Sequence, residues 1–325
     1  MFQIQQPNHI IFGKYAASEY SYPNDCLIIT SKGAKSRGWI DYIKGNNFKI
    51  FDNVEPNPSM NTVEDIISQF KNENFSSIIG LGGGSSLDVA KFAAFKMGKK
   101  KIMIPTTFGS GSEVTRISVL NVDGKKTSFH NEKILADVAI VDPTFIEGTP
   151  MEIIKNSAID SCAQCSEAYD SKLANPYTKF LCNTAFDILE YAILNDKFEK
   201  LALGSLLTGL GFGNSSTTLG HALSYVYSNE GIMHGHALSF TTLVAHKFNN
   251  SIFYKRFQSI VKKLNFKKIS FTTSDQKEIF KIMSYDKKNY NNKVKYVLLK
   301  GIGNPIIDQD VDNELFFKAF DFYNE

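Results

Sequence analysis

Residues 80–91 read GLGGGSSLDVAK. A short apolar run at 77–81 (SIIGL) enters this stretch, and an amphipathic segment at 86–95 (SLDVAKFAAF) leaves it. Gly82, Gly83 and Gly84 permit a tight turn between them and leave backbone N–H groups open to a ligand, while Ser85 or Ser86 stands where a helix cap belongs. Free amides at the positive end of a helix make an anion site, most naturally for a pyrophosphate. An ordinary strand-to-helix turn rarely needs three consecutive glycines. The loop lacks the G-x-G-x-x-G spacing of the common dinucleotide fingerprint and does not follow the first strand.

Outward from this loop the same alternation repeats. Segments 26–31 (CLIITS), 48–51 (FKIF), 101–105 (KIMIP) and 139–141 (AIV) read as further strands, and 62–71 (TVEDIISQFK) as a further helix. Strands alternating with helices imply a parallel sheet covered on its faces. After Pro150 the pattern changes: 151–169, 176–194, 197–213, 215–227 and 235–248 all read as helices, with no convincing strand before residue 293. The expected organisation is an α/β nucleotide-binding domain over 1–149 and an all-α domain over 150–325.

A second polar loop, IPTTFGSGSEVTRIS (104–118), also leaves a strand and carries the hydroxyls of Thr106, Thr107, Ser110 and Ser112. Two such loops on neighbouring parallel strands open on one sheet edge, where open α/β folds bind ligands. Together they imply a ligand the size of a nucleotide.

Composition narrows the partners. A formal net charge of +3, dispersed along 325 residues, argues against nucleic acid. The basic cluster KMGKKK (96–101) fits a solvated turn between helix and strand. No apolar run approaches the ~20 residues of a membrane span. The start, MFQIQQPNHIIFG, lacks the basic and apolar regions of a secretory leader. Cys26, Cys162, Cys165 and Cys182 fit no zinc-ribbon spacing, and reduced, structural cysteines fit a cytoplasmic protein.

LGHALSYVYSNEGIMHGHALS (219–239) holds His221, His234 and His236, half of the six histidines. A single histidine in an apolar helix is ordinarily a satisfied core residue. Three beside glycine or alanine in one stretch suggest that something approaches closely.

EPNPSM (55–60), GGGSSLDVAK, IPTTFGSGSEVT, ILADVAIVDP (134–143), AIDSCAQCSEAY (158–169) and HALSYVYSNEGIMHGHA (221–237) occur in the order found in the iron-dependent alcohol dehydrogenase family, which this chain resembles over most of residues 1–240. That family belongs to a superfamily that includes dehydroquinate synthase. The resemblance implies a divalent metal in the cleft, Fe²⁺ or alternatively Zn²⁺, and hydride transfer between NAD(P)H and a small alcohol or aldehyde. It places the metal on Asp160, His221 and His234. Gln164 stands where the family has a fourth ligand, histidine, and an i,i+4 pair shares one helix face, so its weaker amide oxygen can still turn to the metal. The same resemblance puts Ser31, Gly82, Gly83, Gly84, Ser85, Asp88, Thr106, Thr107, Ser110 and Lys126 on the cofactor, and it suggests a homodimer.

Tyr225 replaces a histidine that many members carry near the nicotinamide, and could relay a proton. The interval from His221 to His234 is one residue shorter than usual, and His236 reads as a cleft-lining residue. H-A-x-S-Y followed by H-G-H-A, with Gln164, looks like the phosphonoacetaldehyde-reductase branch. MSYDKKNYNNKVKYVLLKGIG (283–303) is similar instead to the end of dehydroquinate synthase, and offers Lys287 and Lys288 to an anionic substrate. The alternatives are a sugar-phosphate cyclase using NAD transiently and a non-catalytic nucleotide-binding relative. Ser31 stands where NAD-preferring members have a carboxylate, with Lys32, Lys35 and Arg37 beyond it, which predicts that NADPH is accepted.

Overall fold

The computed structural model describes residues 1–45, 47–228 and 231–267, together with the backbone of 295–299 and 305–310. The chain opens with β1 (His9–Phe12), α1 (Ala16–Glu19), β2 (Cys26–Ile29), α2 (Lys32–Ser36), β3 (Lys49–Phe51) and α3 (Met60–Phe70). It continues through β4 (Ser77–Gly82), α4 (Gly84–Met97), β5 (Lys100–Pro105), β6 (Ile117–Val122), β7 (Lys125–His130) and β8 (Val138–Val141). Six of these strands form one parallel sheet in the order β1-β8-β5-β4-β2-β3. Every residue of β2 and β4 is buried, as unbroken apolar runs in a sheet covered on both faces must be. Alternation divides their side chains: Ile28, Ile79 and Leu81 enter the core on one face, Leu27, Ile29 and Ile78 the core on the other.

Sequence periodicity found five of the six strands of this sheet, missing β1 and the hairpin outside the sheet. β1 is too short and too exposed to carry a pattern, and it is held at the sheet by pairing to β8. β6 and β7 form a separate antiparallel hairpin around Asp123 and Gly124, both at positive φ, which is the Asp-Gly signature of a tight hairpin turn.

The second half contains α5 (Met151–Asp170), α6 (Pro176–Leu194), α7 (Leu201–Phe212), α8 (Leu219–Ser228), α9 (His234–Phe248) and α10 (Tyr254–Leu264). The helix expected over 197–213 begins instead with a 3-10 turn at Phe198–Lys200 before α7. β9 (Lys295–Leu299) and β10 (Pro305–Asp310) pair antiparallel, so this half is not purely helical. All four cysteines are buried and free. No helix among the described residues is long and apolar enough to cross a membrane.

The glycine loop is held open by its neighbour. Gly82 and Pro105 end their strands in register, and Thr106 N–H donates to Gly82 O at 3.0 Å, so both polar loops rise from one edge. Gly83 occupies the N-cap of α4 in extended backbone, without a side-chain cap; neither Ser85 nor Ser86 plays that role, because the helix starts before them. A Cβ on Gly83 would lie 3.0 Å from Thr107 Oγ1, and one on Gly84 2.9 Å from Ser110 Oγ. Close approach of the second loop therefore accounts for Gly83 and Gly84, while Gly82 has a positive φ and a Cβ there would lie 2.7 Å from Ser86 Oγ.

Beneath this edge lies a buried charge cluster. Lys91, on α4, donates to Ser112 O at 2.7 Å, Thr115 O at 3.2 Å and Ile117 O. Asp88 sits 3.4 Å from Lys91 Nζ and accepts from Ser112 Oγ at 2.5 Å and Val119 N–H at 3.0 Å. The pair staples α4 to the second loop and to the hairpin. Glu113 is buried beside them, and burial pushes its carboxyl up to about 7, against the pull of its own backbone N–H and of Lys91. A folded-state pKa above the unfolded value of 4.5 means that the native carboxyl keeps a proton which the unfolded chain releases. Its cost to stability is absent below the unfolded value and grows as pH rises toward 7. Urea unfolding of the parent and of Glu113→Gln should therefore show the variant gaining on the parent between about pH 5 and about pH 8. The expected gain is on the order of 2 kcal/mol. A pH-independent difference would refute this account of Glu113.

Candidate functional site

Where the two loops meet the helical half they border a cleft of about 390 Å³. Gly84, Ser85, Asp88, Thr107 and Ser110 line it from the sheet side. Lys126 reaches it from the hairpin. Thr106 is buried under the loop, with its backbone tied to Gly82, and does not line the cleft. Asp88 lines it, though its oxygens are engaged by Ser112, Val119 and Lys91. Ser31 lies past the carboxyl end of β2, on the strand next to β4, where its hydroxyl accepts from Ala34 N–H and caps α2. Beyond it Lys35 pairs with Asp52, which follows β3.

On the far wall α5 presents a stripe. Asn156, Asp160 and Gln164 recur every fourth residue and all line the cleft. α8 brings His221 opposite them, and α9 brings His234 as its first residue. The Nε2 atoms of His221 and His234 lie 3.6 and 3.8 Å from Asp160 Oδ1. One donor atom from each of the three residues falls within 4.8 Å of the other two, a spacing that could hold a divalent cation.

Two observations bear on whether a cation fits. His221 Nε2 and Gln164 Oε1 are both buried and have no hydrogen-bond partner. Buried polar atoms ordinarily find partners, so the orphaned His221 Nε2 beside Asp160, with a second orphan on the neighbouring Gln164, supports a site built for a further group. His221 Nδ1 is bonded to Glu167 Oε2. With this carboxylate accepting from Nδ1–H, the neutral ring turns its Nε2 lone pair toward Asp160, the arrangement that carboxylate–histidine–metal sites use. Burial alone would lower the His221 pKa, but Glu167 and Asp160 outweigh it and hold the pKa above the ordinary histidine value. Both carboxylates thus favour a positive charge between them. Gln164 Nε2 donates to Asp160 Oδ1 at 3.0 Å, and a half-turn of the amide would bring its oxygen to that side instead.

Glu167 is the residue that sequence reading overlooked. It lies one turn beyond Gln164 and is buried, and it accepts from Thr218 Oγ1 at 2.7 Å, Gly220 N–H at 2.5 Å and His221 N–H at 3.2 Å. A carboxylate three residues beyond Gln164, continuing the face of Asp160 and Gln164 on one helix, was the available signal. His236 corrects an expectation in the other direction. Its ring stacks on Phe266, its Nε2 lies 2.8 Å from Lys267 O, and it is not on the cleft wall. Burial lowers the pKa of Lys126, and the carboxylate of Asp160 opposes that shift. The side chain of Tyr225, and Lys287 and Lys288, lie outside the described residues.

Comparison with known proteins identifies the family of the chain. Residues 7–143 match the family model of iron-containing alcohol dehydrogenases, and residues 154–287 match the C-terminal model of the same family. Long-chain-alcohol dehydrogenase 1 of Geobacillus thermodenitrificans is 34% identical over 234 residues, covering 61% of this chain and 59% of its own. The 4-hydroxybutyrate dehydrogenase of Clostridium kluyveri is 31% identical over 209 residues, covering 55% of this chain and 56% of its own. The chain thus spans little more than half the length of these curated relatives. Among solved structures, sulfoacetaldehyde reductase from Bifidobacterium kashiwanohense in complex with NAD⁺ superposes with a TM-score of 0.81 at 22% identity, covering 99% of this chain and 98% of that one. A 1,3-propanediol oxidoreductase gives a TM-score of 0.83 at 22% identity, covering 98% of this chain and 100% of that one. With both halves matched by models of one family, and with the fold shared along nearly its whole length, the chain belongs to the iron-containing alcohol dehydrogenase family.

Proposed function

We propose that this protein is a metal-dependent NAD(P)H oxidoreductase that interconverts a small aldehyde and its primary alcohol. The observation that carries the reading is the convergence of Asp160, His221 and His234 in the cleft bordered by the two glycine- and serine-rich loops, with His221 Nε2 buried and unpartnered. Fe²⁺ is the first choice of ion and Zn²⁺ the second. A divalent ion held there supplies polarisation of the carbonyl oxygen, and a reduced nicotinamide supplies the hydride.

The chain's own residues do the rest. The uncapped start of α4 at Gly83 and Gly84, with Ser85, offers N–H groups to the pyrophosphate. Thr107 and Ser110 line the same cleft, and Lys126 presents an ammonium to it from the hairpin, near enough to Asp160 to feel its charge. Glu167 holds the His221 proton on Nδ1 and so keeps Nε2 available as a ligand. The product alkoxide is protonated from water or through Tyr225. A homodimer acting in the cytoplasm belongs to the same reading and rests on the family resemblance and the reduced cysteines.

Within this class we infer a small anionic aldehyde, such as phosphonoacetaldehyde, as substrate. Supporting it are the H-A-x-S-Y and H-G-H-A segments, Lys287 in its D-K-K sequence, and the cation Lys126 on the cleft wall. Two relatives are named for anionic compounds, sulfoacetaldehyde and 4-hydroxybutyrate. Charge-assisted hydrogen bonds of ~1.5–3 kcal/mol correspond to roughly tenfold to a hundredfold discrimination against uncharged aldehydes. NAD(P)H oxidation with an aldehyde panel tests this after loading with Fe²⁺ or Zn²⁺. Butyraldehyde reduced as efficiently as phosphonoacetaldehyde would remove the anionic substrate. Lys287→Ala should abolish the preference and leave activity on simple aldehydes.

His221→Ala should lose stoichiometric metal and nearly all turnover; full occupancy with activity would overturn the assignment. Glu167→Gln should weaken metal affinity by roughly 10- to 100-fold, measured by competition with a chelator. For the cofactor, NADPH should be used at least as well as NADH. Lys35 is now engaged by Asp52, so Asp52→Asn should free it for a 2′-phosphate and raise the NADPH/NADH ratio of kcat/KM roughly twofold to fivefold. An unchanged ratio would show that Lys35 does not meet the cofactor.

A further inference from the structure

α9 starts without a cap of its own. Its N-cap position is Met233, whose side chain makes no capping hydrogen bond, and its first helical residue is His234. A capping side chain normally accepts from the N–H of the second or third helical residue. Here that bond crosses from another helix: Asn156 Oδ1, on α5, accepts from His236 N–H at 2.8 Å. Asn156 is only 7% exposed, and its amide nitrogen donates to Glu152 O at 2.8 Å and lies 3.3 Å from Glu152 Oε1. Those bonds fix which end of the amide faces α9. Gly235 makes the approach possible, because a Cβ there would stand 2.1 Å from Asn156 O.

Asn156 precedes Asp160 by four residues on one helix, so the cap and the carboxylate share a rigid ruler. His221 is held by a buried carboxylate through its ring. His234 is the more exposed imidazole, with its side chain at 36% against 11%, and its Nδ1 lies 3.4 Å from Ser224 Oγ. Its placement therefore leans on the first turn of α9.

We propose that Asn156 is a positioning residue for the metal ligand His234: it caps α9 from α5 and so sets where the imidazole stands relative to Asp160. The inference rests on the metal reading above. It makes the ligand set depend on a residue that contributes no donor atom to the ion.

Two measurements test it, one without metal. In the metal-free protein, Asn156→Ala should speed hydrogen exchange at the amides of residues 234–238 while exchange around α8 stays as in the parent. Titration with Co²⁺, followed by its absorption spectrum and by chelator competition, should show affinity weakened by about tenfold or more and an altered spectrum. Adding Met233→Ser gives α9 a local cap and should recover most of both losses. A purely structural asparagine would instead lower Tm and leave the Co²⁺ affinity and spectrum of the folded protein unchanged, which would overturn the proposal. Failure of Met233→Ser to restore either readout would overturn it too. If the parent itself takes up no Co²⁺, the metal reading fails and this inference with it. Parental binding matched by Asn156→Ala removes this inference alone.

Discussion

A carboxylate removed from water must be repaid by donors, and Glu167 is where this chain meets that demand. Its two oxygens collect the Thr218 hydroxyl, the N–H groups of Gly220 and His221 at the start of α8, and the His221 ring. One buried charge thus anchors α8 on α5, satisfies amides that the helix start would leave open, and fixes a tautomer. Gly220 is required by the same approach, since a Cβ there would stand 2.9 Å from Glu167 Oε1. Without this contact His221 would have neither a place nor a defined lone pair.

The sheet half solves a matching problem with the opposite charge. Lys91 is buried on α4 and spends its ammonium on the carbonyls of the second loop and the hairpin, with Asp88 beside it. The glycine loop has no side chains of its own to hold it, so its rigidity must come from elsewhere. The staple below supplies it. The start of α4 is thus fixed from underneath, as His221 is fixed from behind by Glu167.

The two histidines reach the same carboxylate by different means. His221 is oriented through its ring, whereas His234 is the first residue of a helix and takes its position from how that helix begins. Gln164 adds an amide to this group of side chains. Its amide bonds Asp160 through nitrogen and keeps an oxygen buried without a partner. An amide carries both a donor and an acceptor, so it can serve the carboxylate or the ion according to which way it is turned.

The sequence by itself determined the alternation of five strands with helices, the later helices and the two loops, while the family resemblance pointed to Asp160, His221 and His234. The elements and loops were legible because each is a local pattern: apolar runs of strand length, helical periodicity, glycines at a turn. The sequence also carried the family, because a series of short motifs in fixed order is specific even where each motif is weak. Only the tertiary structure decided what holds those residues. Glu167 meets His221 across more than fifty positions of sequence, and Asn156 meets His236 across eighty. Asp88 was legible as part of a motif, yet its partners Ser112 and Val119 belong to segments with no marker of contact. Thr106 and Thr107 are neighbours with the same side chain, and packing alone buried one and turned the other into the cleft. Spacing along a chain fixes which face of an element a residue occupies, but which element that face will meet is set when the hydrophobic layers pack and buried charges find their counterparts.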